Sequence, residues 1–131
     1  IRRGAYVLID CKGQPQLLLV ATGSEVALAV DSAARLAEDG IAVRVVSMPC
    51  TDLFEAQPED YRQHVLPREV TARVVIEAGV SDCWWRYAGS QGRVIGLDRF
   101  GESAPAEQLF EHFGFSIANV IRVAQEVLAG T

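Results

Sequence analysis

QLLLVATGSEVALAV (Gln16–Val30) decides the fold, because it changes period in the middle. Gln16 to Ala21 is a continuous apolar run, the pattern of a strand covered on both faces. From Ser24 to Asp39 the spacing becomes helical: Val26, Ala29, Val30, Ala33, Leu36 and Ala37 share a face, with Asp31, Ser32, Arg35 and Glu38 largely opposite. Gly40 stops that helix. The break at Thr22, Gly23, Ser24 and Glu25 has two readings. A strand-to-helix turn with a glycine presents backbone N–H groups and the positive end of a helix dipole, so these four residues are a candidate contact for a small anion or nucleotide. Alternatively Ser24 or Thr22 caps the helix, with Glu25 as its first-turn acid. One glycine makes neither GxGxxG nor GxxxxGK[ST], and Glu25 repels an anion, which favours the cap.

The same alternation extends outward in both directions. Ala5 to Asp10 reads as a strand and KGQP (Lys12 to Pro15) as the turn after it, a hairpin-like connection that makes the first strand antiparallel to the rest. Ala42 to Met48 is a strand closed by Pro49, followed by a loop through Cys50, Thr51 and Asp52. Pro58, Glu59 and Asp60 open a helical segment that Pro67 ends. Ala72 to Glu77 is again a strand, Asp82 to Ala88 a short helix, and Arg93 to Leu97 a last strand. Ala106, Leu109, Phe110 and Phe113 mark one further helix, and Ser116 to Gly130 spans another. Strands separated by helices imply a largely parallel sheet. The expected fold is a three-layer α/β/α domain on a mixed five-stranded sheet.

Composition limits the function. A chain of 131 residues, half of them hydrophobic, suits one domain covering 1–131 with a real core. Twelve cationic side chains against seventeen carboxylates leave a net charge of -5, with no basic block to meet nucleic acid or anionic membrane. No apolar run approaches a membrane span and the start lacks a signal-peptide pattern, so the expectation is cytoplasmic. Cys11, Cys50 and Cys83 share no CxxC spacing and sit among apolar neighbours.

Candidate chemistry is sparse. Lys12 lies in a solvated turn, unsuited to a Schiff base. His64 and His112 have no partner at metal-ligand spacing. Glu38 with Asp39 and Glu59 with Asp60 are adjacent, so their carboxylates diverge around a helix. Ser24 and Ser103 precede helices and lie outside GxSxG. The sequence therefore offers no catalytic, cofactor-binding or metal-binding residue. Trp84, Trp85 and Tyr87 form the densest aromatic cluster, and successive residues cannot all face one core, so they are a candidate interface.

Resemblance goes further. ATGSEVALAV, RVVSMPCTDLF, YRQHVLP, TARVVIEAG and above all DRFGESAPAEQLFEHFGF (Asp98 to Phe115) resemble, in order, the C-terminal domain of bacterial transketolases. Cys50 stands where the family pattern SMPSTD has serine. The resemblance implies a homodimeric parent enzyme of the pentose phosphate pathway. That enzyme uses thiamine diphosphate and Mg²⁺ or Ca²⁺ to transfer two-carbon ketol units from ketose to aldose phosphates. It also implies that cofactor and metal sit on two other domains: this sequence has no GDG motif, and neither His64 nor His112 matches a catalytic histidine. The start IRRGAYVL falls where the family's interdomain linker is expected, implying a fragment without activity of its own. Its partners would be the catalytic domains and a second subunit.

Overall fold

Leu17–Ala21 forms the central strand β2, and every one of its residues is buried. Its side chains alternate between two cores: Leu17, Leu19 and Ala21 enter one, Leu18 and Val20 the other. A continuous apolar run is therefore required here, since neither face meets water. The computed structural model describes residues 4–23, 25–77, 85–96 and 116–130, for residue 85 the backbone alone.

Around β2 the sheet is ordered β1-β3-β2-β4-β5, with β1 Tyr6–Ile9, β3 Val43–Ser47, β4 Arg73–Glu77 and β5 Arg93–Gly96. β2 pairs in parallel with both β3 and β4, β4 pairs in parallel with β5, and β1 runs antiparallel to β3. The antiparallel sense of β1 is as expected; its partner is not. KGQP does not close a hairpin onto β2, because β3 occupies that edge and β1 adds outside it. The register slips between Val7 and Ile9, leaving Leu8 and Ile9 exposed on the edge.

α1, Glu25–Glu38, and α5, Ile117–Ala129, cover one face: Ala29, Ala33 and Leu36 pack with Val120, Val123, Ala124 and Val127 over the first core. α1 ends in paired bonds, Ile41 N–H to Leu36 O and Gly40 N–H to Ala37 O, the reason Gly40 stops it. Its buried stripe is rotated from the expected one. Ser32, assigned to the outer face, is buried and Ala37 is exposed, since Ser32 lies three residues after Ala29 and four before Leu36. α5 starts where expected, with Ser116 Oγ accepting from Asn119 N–H at 3.2 Å.

The other face carries α2 Thr51–Glu55, α3 Glu59–Val65 and α4 Trp85–Ala88 over the second core, through Phe54, Val65, Tyr87 and Ala88. α2 replaces the loop expected at Thr51 and Asp52. Gly4 packs on its backbone so closely that a Cβ there would lie 2.2 Å from Cys50 O and 2.3 Å from Phe54 N, which admits only glycine. Tyr61 Oη donates to Ala5 O at 2.7 Å, tying α3 to the same segment. The expected helix carrying Ala106, Leu109, Phe110 and Phe113, together with Leu97 and residues 82–84, lies outside the described residues.

Candidate functional site

Adjacent strands β2 and β3 exit to opposite faces, β2 into α1 and β3 into α2 and α3. Such a divergence opens a crevice at the carboxyl ends of the strands, where open α/β sheets usually take ligands. A cavity of about 310 Å³ lies there, lined by Thr22, Met48, Cys50, Thr51, Asp52 and Glu77, among others.

The turn into α1 is built from backbone. Gly23 takes φ +56, Glu25 N–H bonds to Thr22 O at 3.1 Å and Val26 N–H to Gly23 O at 3.3 Å. The Thr22 hydroxyl does not turn back onto the helix; it donates across the sheet to Glu77 Oε2. Glu25 is buried in the first turn of α1. Two carboxylates and a committed hydroxyl thus stand where an anion would have to enter, and no observation supports the anion-binding alternative. Ser24 lies outside the described residues.

The aromatic cluster divides. Tyr87 turns inward, 4% exposed, its hydroxyl donating to Glu55 Oε2 at 2.8 Å and its ring centroid 6.3 Å from that of Phe54. Burial, followed by the Glu55 hydrogen bond, pushes its phenol up to about 12. Its surface is spent inside the domain, so it does not belong to an outward patch with its neighbours. Trp84 and the side chain of Trp85 lie outside the described residues.

Other candidates are dispersed. Lys12 is exposed in its turn; His64 is exposed at the end of α3, its carbonyl accepting from Arg44 Nη1 at 2.8 Å. Cys11 and Cys50 are free thiols. Cys83, Ser103 and His112 lie outside the described residues. Among those described, no three His, Cys, Asp or Glu side chains are grouped to hold a metal ion, and no helix is long and apolar enough to cross a membrane. The described carboxylates of the carboxyl-end crevice are Asp52 and Glu77, and Glu77 already accepts from Thr22, a set that does not fit a divalent cation clamping a diphosphate.

Sequence reasoning missed buried Arg44 and half-buried Arg73. Arg44 on β3 donates from Nε to Asp10 Oδ1 at 2.9 Å and thereby locks the end of β1 against α3. Burial alone would raise the Asp10 carboxyl. The hydrogen bonds from Arg44 and Cys11 N–H, with the charges of Arg44 and His64, hold it below its ordinary value instead. Arg73 opens β4 with its guanidinium on backbone carbonyls. The only signal for either was a cation inside an apolar strand pattern, VRVV and ARVV.

Comparison with known proteins agrees with this architecture. The profile described as "Transketolase-like TK C-terminal domain" matches residues 4–116. Transketolase 1 of Aliivibrio fischeri is 57% identical over 129 residues, covering 98% of this chain and 19% of that protein. Transketolase 1 of Escherichia coli is 56% identical over 128 residues, covering 98% and 19%. The structure of transketolase from Leishmania mexicana superposes with a TM-score of 0.89 at 46% identity, over 98% of this chain and 18% of that one. The chain thus spans about a fifth of the length of the relatives it matches, and its fold, motif order and identity agree over nearly all of its own. It belongs to the transketolase-like C-terminal domain family.

Proposed function

We propose that this chain is the non-catalytic closing domain of a transketolase, and that its own work is to pack against the catalytic domains and steady a homodimer. In that reading the parent works in the cytoplasm and transfers two-carbon ketol units between sugar phosphates. Thiamine diphosphate and its Mg²⁺ or Ca²⁺ are held by polypeptide outside these 131 residues.

One observation carries it: the match covers 98% of the chain but 19% of the A. fischeri transketolase. The chemistry of the described residues supports the same division of labour. Carbon transfer through a thiazolium needs a clamp for the diphosphate and cations for the substrate phosphate. The carboxyl-end crevice offers Asp52, Glu77 and hydroxyls. A crevice of that sign is unsuited to a phosphorylated sugar, so no catalytic step is assigned to it. Trp84 and Trp85 remain the proposed contact with other domains.

Removing this domain from the parent polypeptide tests the architectural role. Expected is a truncated protein that still binds thiamine diphosphate but dissociates to monomers at concentrations where the whole enzyme is dimeric. A truncated protein that dimerises and turns over unchanged overturns the proposal.

A further inference from the structure

At the amino end of β4, Arg73 meets backbone carbonyls and, among the described residues, no carboxylate. Nε donates to Val70 O at 2.9 Å, Nη1 to Tyr87 O at 2.9 Å, and Nη2 to Pro67 O at 2.7 Å and more distantly to Leu66 O at 3.5 Å. Leu66 follows α3 and Tyr87 lies in α4, so one guanidinium sits at the negative ends of two helix dipoles. These carbonyls and dipole ends offset part of the charge, but no carboxylate among the described residues neutralises it. Among the described residues half-buried Arg73 has no ion-pair partner, whereas buried Arg44 meets Asp10. Burial pulls the Arg73 guanidinium below the usual arginine value, the direction that follows from desolvation without a counter-ion. Of its five N–H groups, one on Nη1 has no acceptor among the described residues.

A cavity of about 240 Å³ opens beside it, at the opposite end of the sheet from the Thr22–Glu77 crevice. Besides Arg73, its polar lining is Arg68, Thr71, Ser90 and Gln91, with no carboxylate. Arg68 pairs with Glu59 at 2.7 Å, but both side chains are largely exposed and their attraction is screened, so Arg68 can be shared. The volume lies below the roughly 300 Å³ at which pockets for drug-sized ligands begin, which suits an ion and not a nucleotide.

We propose that this cavity binds a small tetrahedral oxyanion of the phosphate class, held by Arg73 and Arg68 with the Thr71 and Ser90 hydroxyls and the Gln91 amide. The site lies apart from the helix mouth at Gly23 and Glu25, and it does not rest on the transketolase reading.

Inorganic phosphate titrated into the 131-residue chain at constant ionic strength, followed by ¹⁵N NMR, tests it. The amides of Thr71, Gly89, Ser90 and Gln91 shift together along a saturating curve in the millimolar range, while Gly23 and Glu25 stay still. Arg68→Gln weakens the fitted affinity about tenfold, as loss of one charge-assisted contact should. Ser90→Ala with Gln91→Ala weakens it independently. Neither variant touches the helix ends that Arg73 ties, so folding is preserved in both. The proposal is overturned by linear or absent shifts, by acetate reproducing the phosphate curve, or by both variants binding as the parent chain does.

Discussion

Thr22 and Glu77, fifty-five residues apart in sequence, meet through a hydrogen bond from the threonine hydroxyl to the carboxylate at the carboxyl ends of adjacent parallel strands. That bond sets the exit of β2 relative to β4. Replacing Thr22 by Val keeps the shape and removes the donor, which should cost about 1–2 kcal/mol in urea unfolding, while Thr22→Ser should restore most of it. A Val variant as stable as the parent chain would remove the bond from the account.

The Asp10–Arg44 pair makes stability depend on acid pH. Asp10 is held below its ordinary value in the folded state, so its contribution is complete above the unfolded pKa and is lost as pH falls through the folded one. Because the Asp10 side chain is 46% exposed, solvent screening limits the effect to about 1 kcal/mol. Asp10→Asn should therefore be less stable at pH 7, and the difference should close below about pH 4. Parallel stability curves down to pH 3 would contradict it.

Tyr87 works in the other direction. With its phenol raised to about 12, the neutral form is favoured by folding. Its contribution is complete below the unfolded value near 10 and is lost as pH rises through 12. In spectrophotometric titration one tyrosine should ionise close to pH 12, and Tyr87→Phe should abolish that step. A step near 12 that persists in Tyr87→Phe would assign it to another residue.

Ser32 buries a hydroxyl that has no hydrogen-bond partner among the described residues. Ser32→Ala removes the unsatisfied group without opening much space, so it should be neutral or stabilising by up to about 1 kcal/mol. The contrasting change, Leu19→Ala in the fully buried β2, should cost about 2–5 kcal/mol. Thermal unfolding should fall clearly in Leu19→Ala and hold or rise in Ser32→Ala; a clear loss in Ser32→Ala would mean that the hydroxyl is satisfied.

What was legible in the sequence was whatever burial on both faces imposes. LLLVA suits a strand covered on both faces, and the change of period at Gly23 located α1. The partner of β1 was not legible, because the short KGQP turn favours a local hairpin while the pairing with β3 depends on which sheet edge is free. α2 is too short to show a helical period. Ser32 was placed outward by its polarity although the helix turn carries it inward. At the candidate site, Thr22 and Glu25 were found from their position after a strand. Their acidic setting depends on Glu77, a residue that only the fold brings near. Arg73 left little trace, since its partners are carbonyls that any sequence would supply.

Assaying the purified 131-residue chain for ketol transfer, with thiamine diphosphate, Mg²⁺ and a ketose and an aldose phosphate supplied, tests the division of labour most directly. The expected result is a folded protein with no turnover, alongside activity from a polypeptide that joins this domain to the preceding catalytic ones. Cofactor-dependent turnover by the chain alone, surviving removal of every trace of host transketolase, would contradict it.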